Sequence, residues 1–381
     1  MTVNAHLAPQ LDAFIALDDP GFALLINAPW GAGKTYARHE YTKGKDHLYV
    51  SLFGVPSATA IEEALFQAMA ERADVKIPQG LSNAFSDIAK NFIGINLDLT
   101  AVYKRQVLKA LPKVIIFNDL ERAQMPIPQL LAAFNSHVEH EKRNLIFLAN
   151  EAKLEAHNEY REWREKVVGR TITLRPETES AIDVFLAKIS QDGARKFLED
   201  AREIILQVFN MSNTDNLRLL RQALAEFARL YERIPNEFSD QVSAMEKLFG
   251  DFLALSIAWH AGNKLTPDDF KMSAAYWIEH RLEREKKDPM DSGLLRLRKT
   301  YVSAPFAPLD GRNLPDDLAR ILIVDGYAPD DQIEAQMKLA DAFKQTIEEP
   351  WRVLWWWRKR EESEVIKALD EVQSELKNKS L

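Results

Sequence analysis

The chain has 381 residues, 46% of them hydrophobic and 28% charged, a length and composition that support two or three domains with proper cores. It has no cysteine, which excludes disulfides, thiol nucleophiles and zinc–thiolate sites and fits a reducing, cytoplasmic setting. The net charge of −8 is uneven, with 20 basic and 20 acidic residues over 1–175 and 29 and 37 over the remainder, so no global basic footprint for nucleic acid is present.

Met1–Pro9 shows no signal peptide, and no run approaches the ~18 apolar residues of a membrane span. The nearest, Phe92–Val102, is short and carries Asp98. No membrane association is expected. The first element is Phe22–Asn27, a short apolar run opened by Pro20-Gly21, which reads as a buried parallel strand. It runs into Ala28-Pro29-Trp30-Gly31-Ala32-Gly33-Lys34-Thr35, and Tyr36–Glu40 continues as a helix. Strand, glycine loop, Lys-Thr and helix is the context a phosphate-binding loop requires. The glycines let successive N–H groups turn inward around oxygens, and the helix start adds its positive dipole end. Trp30, Gly31, Ala32, Gly33, Lys34 and Thr35 are therefore the expected nucleotide contacts. Lys34 would meet the β- and γ-phosphates, and Thr35 would give its hydroxyl to Mg²⁺. With no nucleotide in the loop, Lys34 is expected in solvent. The strict pattern opens with a glycine, and this chain has Ala28 there.

Further strands are read at Leu48–Phe53, Val114–Asn118, Leu145–Ala149 and Thr171–Leu174, separated by helical periodicity in Ile61–Ala73, Thr100–Leu111 and Leu130–Glu141. Strands alternating with helices predict an α/β fold with a parallel sheet. The third strand ends in Asn118-Asp119-Leu120-Glu121-Arg122. An apolar strand ending in acids after a phosphate loop projects one carboxylate toward Mg²⁺ and a second that can orient or deprotonate water. Asn118 stands where a metal-binding Asp is usual, and an amide is the weaker ligand. Either Asp119 takes the metal role and Glu121 the base role, or hydrolysis is slow. The fourth strand ends at Asn150-Glu151, where Asn150 can position the attacking water or simply cap the next helix. Trp163–Arg170 is a basic segment leading into the fifth strand. A cation there could act on a neighbouring subunit as an arginine finger, with Arg170 the first choice and Lys166 the second, or the cluster could pair with Glu162 and Glu165 on the surface.

After Arg175-Pro176 the strand signals stop. Helical periods follow in Thr178–Ile189, Ala194–Asn210, Leu217–Tyr231, Val242–His260, Pro267–Arg284 and Asp331–Thr346, with a turn-rich stretch at Ser303–Asn313. Asp215 or Asn216 is a fitting cap for the helix at Leu217, whose first turn carries Arg218, a cation that could fold over the γ-phosphate. His137 and His140 read as a solvated helix face rather than a metal site. Trp351–Arg360 mixes aromatics with cations and reads either as a packed helix or as a partner or nucleic-acid surface.

The order Gly-Ala-Gly-Lys-Thr, Tyr49–Gly54, Asn118–Arg122, Ala149-Asn150-Glu151 and Glu165–Gly169 resembles the KAP-type P-loop NTPases of bacteria, relatives of the AAA+ and STAND ATPases, over about residues 15–235. The usual family pattern at the acidic strand has Asp where Asn118 stands, and the membrane helices that some members insert are missing. The resemblance implies a sheet of order 5-1-4-3-2, a helical lid, ATP with Mg²⁺, nucleotide-gated assembly into a homo-oligomer, and in many members a part in anti-phage defence. The expected division is a nucleotide-binding core at 1–175, a lid at 176–240 and a helical C-terminal domain at 241–381. The expected activity is an ATPase switch that signals to a separate effector protein, since no nuclease, protease or deaminase constellation is present in this chain. A nucleotide-binding scaffold with little turnover and a nucleic-acid-stimulated remodelling ATPase are the alternatives.

Overall fold

The structure, a computed structural model, describes residues 3–72, 111–139, 141–263, 265–271, 293–301, 309, 313–343 and a few positions between 365 and 372. Phe92–Val102, Trp351–Arg360, His140, and nearly all of the stretches read at Thr100–Leu111 and Ser303–Asn313 lie outside the described residues.

Five strands form one parallel sheet: β1 (Ala23–Asn27), β2 (Leu48–Ser51), β3 (Val114–Asn118), β4 (Asn144–Ala149) and β5 (Val168–Thr173). Their order across the sheet is 2-3-4-1-5, the expected 5-1-4-3-2 read from the other edge. The central strands are apolar on both faces because helices cover both. Leu24 and Ile26 of β1 join Ile116, Ile146 and Leu148 on one face, against Leu7, Leu11 and Phe14 of α1 (Leu7–Ile15) and against α2 (Lys34–Thr42). Ala23 and Leu25 join Phe117 and Phe147 on the other, against α3 (Ala58–Ala70), α4 (Ile127–Glu139) and α5 (Asn158–Val167). Period-two alternation along each strand thus sorts one apolar run into two cores. Phe117, Phe134 and Phe147 meet with ring centroids 4.6–6.0 Å apart. Each such buried side chain contributes roughly 1.5–3 kcal/mol over leaving it exposed.

Two local details shape this layer. Asn144 is fully buried at the start of β4, and its amide donates to Phe14 O (2.9 Å) and Leu17 O (3.3 Å), holding the end of α1. At β5 the register with β1 slips, with Ala23 opposite Val168 and Leu24 opposite Arg170, so Gly169 is the extra residue of a bulge. A Cβ on Gly169 would lie 2.4 Å from the Phe22 ring, so the bulge admits no larger residue without displacement.

The chain divides into two compact units, Met1–Ser190 with Asn213–Ala225, and Gln191–Ser212 with Glu226–Leu381. The first holds the sheet, α1–α5 and α6 (Thr178–Leu186). The stretch expected as one helix at Ala194–Asn210 is two, α7 (Asp192–Asp200) and α8 (Arg202–Met211), which break at Ala201 in the second unit. Helix α9 (Leu217–Tyr231) gives its residues through Ala225 to the first unit and the rest to the second. In the second unit α8 packs on α10 (Val242–His260), and Phe197, Phe227, Phe249 and Phe252 form its aromatic core. α11 (Gly293–Tyr301), α12 (Asp316–Ile323) and α13 (Asp330–Met337) follow. Of the stretch read at Asp331–Thr346, the described part holds the rest of α13, which ends at Met337, and a separate 3₁₀ turn at Asp341–Phe343; residues 344–346 lie outside the described residues. Of the helix read at Pro267–Arg284, the described part is a 3₁₀ turn, Pro267–Lys271. Among the described residues no helix is long and apolar enough to cross a membrane.

Candidate functional site

The loop between β1 and α2 is built on two left-handed glycines, Gly31 (φ 79°) and Gly33 (φ 95°). β4 lies between β1 and β3, and its last carbonyl closes the base of the loop, with Ala28 N donating to Ala149 O at 3.1 Å. Beside it Glu151 N donates to the Asn27 side chain at 2.9 Å. A Cβ on Gly33 would meet nothing nearer than Leu217 Cδ1 at 4.0 Å, so the space beside this glycine is not closely packed.

Lys34 departs from expectation. It is buried rather than solvated, and its ammonium donates to Ala28 O (2.6 Å) and Pro29 O (3.0 Å) of its own loop. A desolvated cation beside a loop able to fold back will satisfy itself on the nearest carbonyls. Desolvation holds its pKa below the usual lysine value, opposed by the nearby charges of Glu121 and Asp119. Thr35 opens α2, and its side chain meets the half-buried Tyr49 phenol of β2. Arg38 lies 3.9 Å from the Tyr49 ring centroid. Tyr49 was visible only as part of a strand, because its partnership with Thr35 is a cross-element contact.

At the tip of β3, Asn118 and Asp119 are adjacent in space as in sequence. Asn118 Nδ2 donates to Asp119 Oδ2 at 2.7 Å. Asp119 adopts the left-handed conformation (φ 59°, ψ 40°) and caps the 3₁₀ turn Leu120–Arg122. Desolvation raises the Asp119 pKa, countered by the Arg122 guanidinium, with Arg122 Nε 3.7 Å from Asp119 Oδ1. Glu121 Oε1 accepts from the Trp30 indole N–H at 2.5 Å, while Glu121 Oε2 is buried without a hydrogen-bond partner. Arg122 lies over the Trp30 ring at 4.6 Å, and Lys153 stands 5.4 Å from it.

Asn150 sits half-buried at the end of β4, and its side chain makes no cap hydrogen bond to the turn Glu151–Leu154. Glu151 is held apart from this chemistry. Its Oε1 accepts from Tyr160 at 3.1 Å and faces Arg164 Nε at 2.7 Å. Asn216 takes the cap position before α9, accepting Arg218 N at 3.2 Å. Leu217 N donates to Gly31 O at 3.1 Å, and a Cβ on Gly31 would fall 1.7 Å from Asn216 Oδ1. The cap is thus packed on the loop itself, and the charge of Arg218 acts on Lys34 and Asp119. Arg170 does not precede β5 but lies within it, exposed and opposite Leu24. Three residues short of the end of β1, it sits roughly 10 Å back from the loop end of the sheet. It is therefore not part of its own chain's loop. Lys166 rests 4.5 Å from the Trp163 ring centroid. His137 pairs with Glu141 at 2.8 Å, and no group of three His, Cys, Asp or Glu able to hold a metal occurs among the described residues.

A strand–loop–helix with left-handed glycines, set next to an acid-tipped strand across an intervening parallel strand, decides the architecture. This is the fold of a P-loop NTPase. No family model matches the chain, and no curated protein matches it. Among solved structures it is similar to Cdc6p from Pyrobaculum aerophilum, at 15% identity over 78% of this chain and 92% of that one, with a TM-score of 0.40. It is also similar to the Aeropyrum pernix ORC2 protein in ADPNP–ADP complexes, at 13% identity over 89% and 94%, with a TM-score of 0.40. At these scores the likeness adds nothing to what the loop and the strand order establish.

Proposed function

We propose that the chain is an ATP-binding and slowly hydrolysing switch. The observation that carries this reading is the meeting of five charges at one end of the sheet, where Glu121, Asp119, Arg218 and Arg122 all act on the buried Lys34. Polyphosphate would displace the Ala28 and Pro29 carbonyls as the partner of Lys34, exchanging neutral acceptors for charged ones. The residues present fit Mg²⁺. Thr35, Asn118 and Asp119 offer oxygen donors only, and a Mg²⁺ site of this class is completed by substrate phosphates and water rather than by a cluster of carboxylates. When bound, the metal would neutralise charge developing on the phosphate oxygens. Glu121 would take the proton of the water that attacks the γ-phosphorus, as the bond from phosphorus to the bridging oxygen breaks to leave ADP and phosphate. Asn150, with no cap bond to make, would orient that water. Asn118 in place of a carboxylate is the reason to expect low turnover.

The resemblance to KAP-type NTPases supports the finer parts of the reading. These are an assembly of copies gated by nucleotide, a lid within 176–240, a helical C-terminal domain that passes the state to a separate effector, and a role in anti-phage defence. Arg170, exposed on the edge strand and remote from its own loop, would serve a neighbouring copy. Loss of such a charge would cost on the order of 10³-fold in rate. Mixing Arg170→Ala with Lys34→Ala protein should then restore part of the activity.

The test is ATP binding and phosphate release by the wild type and Lys34→Ala. The variant should lose tight binding and turnover. Retention of wild-type affinity by Lys34→Ala would sink the assignment, and binding without turnover would favour the scaffold reading.

A further inference from the structure

We infer that Trp30 is a positioning residue for the general base, fixing Glu121 by a single indole N–H so that one carboxylate oxygen stays free for the attacking water. The inference rests on the proposed reading of the site as an ATPase. Three observations carry it. Trp30 Nε1 lies 2.5 Å from Glu121 Oε1. The other oxygen, Oε2, is cut off from solvent and has no donor. The ring that holds Glu121 is itself held, by Arg122 at 4.6 Å and Lys153 at 5.4 Å.

The chemistry of the donor matters. An arginine or lysine against Glu121 would fix the carboxylate but also neutralise it, and it could bridge both oxygens. The indole has one proton to give and no charge. It can therefore orient the head group while leaving a negative carboxylate with an unfilled acceptor. Cations over the ring face draw on its π density and keep the indole in place. Below the head group the backbone is fixed as well, with Arg122 N donating to Asp119 O and Gly54 N to Arg122 O. A buried acceptor left without a donor is unfavourable, and a water brought against Oε2 as the substrate binds would relieve it. Sequence reading placed Trp30 among the phosphate-loop contacts, where its backbone N–H would serve. Its side chain faces the acid strand instead.

The experiment is the steady-state kinetics of Trp30→Phe, which keeps an aromatic ring for Arg122 and deletes only the N–H. Folding is checked by the melting temperature. The expected result is a fall in kcat of at least about 10-fold with KM for ATP changed by less than about 2-fold, because orientation of the base acts in the transition state and not on substrate binding. In a Glu121→Gln background the same substitution should cost nothing further. A loss expressed in KM, an additive loss in the Glu121→Gln background, an unchanged kcat, or a raised kcat (which would make Trp30 a restraint) each overturns the inference while leaving Lys34-dependent ATP hydrolysis standing. Absence of any Lys34-dependent turnover removes the base itself and overturns both readings.

Discussion

Asp119, proposed above as a metal ligand, shows what a partly desolvated carboxylate costs the fold. Its carboxylate is partly desolvated and its pKa is raised above the ordinary value of 3.8. A raised carboxylate contributes stability in its protonated form. That stability is fully present below pH 3.8 and is lost as pH rises through the folded value. At neutral pH the charged form is therefore a burden to the fold. The left-handed backbone at this position suits Asn as well as Asp. Asp119→Asn should raise the melting temperature at pH 7, with the gain shrinking as pH falls toward 4, and should abolish turnover. Equal melting temperatures at pH 7 would show that the Asn118 and Arg122 contacts already offset the burial. The residue types at this turn were legible in the sequence, and so was the run from Asn118 to Arg122. What could not be read was Lys34 turned onto Ala28 and Pro29, since the motif specifies which groups can meet a phosphate and not which carbonyls of its own loop the ammonium reaches.

At the scale of elements, the phosphate loop and the start of α9 are interlocked through Gly31. A side chain there would pay for a left-handed φ of 79° and also collide with Asn216. Gly31→Ala should destabilise by roughly 1–2 kcal/mol from the backbone alone, with a further loss from displacing the cap. Adding Asn216→Gly should recover the second part and leave the first, a coupling readable in a double-mutant cycle of chemical denaturation midpoints. Additive effects would mean that the loop and the cap do not touch in solution. Asp215 or Asn216 as a cap was legible, because capping is local. The packing of that cap on Gly31 was not, because the two lie far apart in the chain. β5 was read three residues short for a different reason. Val168, Gly169 and Arg170 alternate and bulge at an exposed edge, so they lack the continuous apolar run that marked β1, β3 and β4. The break at Ala201 between α7 and α8 carries neither glycine nor proline, and the helical period runs across it unchanged.

Over the whole molecule the two units carry different sensitivities. In the second, Asp251 of α10 is nearly fully buried, and burial lifts its pKa to about 7 even though it accepts hydrogen bonds from the backbone of Leu309 and from Asn313. The sign is that of a raised carboxylate. Its stabilising contribution is complete below 3.8 and is lost as pH rises through about 7. Between pH 5 and pH 8 the wild type should therefore lose stability relative to Asp251→Asn, measured as the difference of their urea midpoints. A difference that does not change with pH would show that the buried carboxylate keeps one charge state. The first unit carries its own vulnerability in strand order. Among the described residues β1 pairs with β4 and β5 alone. A chain ended at residue 143 should leave the 23–27 segment open to protease, whereas one ended at 190 should protect it. Equal cleavage of the two would mean that β1 is held by something other than its sheet neighbours.

The same strand order has a consequence during synthesis. Leu24 and its neighbours leave the ribosome early, but Ile146, the first residue able to lie beside Leu24, is made more than a hundred residues later. At about 5–20 residues per second that is a delay of roughly 6–25 s. For that interval Ala23-Leu24-Leu25-Ile26 is an unpaired apolar β segment in a growing polypeptide. Such a segment invites a holding chaperone or a neighbouring nascent chain on the same message. Of the five strands, the one that carries the phosphate loop thus waits longest for a neighbour in the sheet.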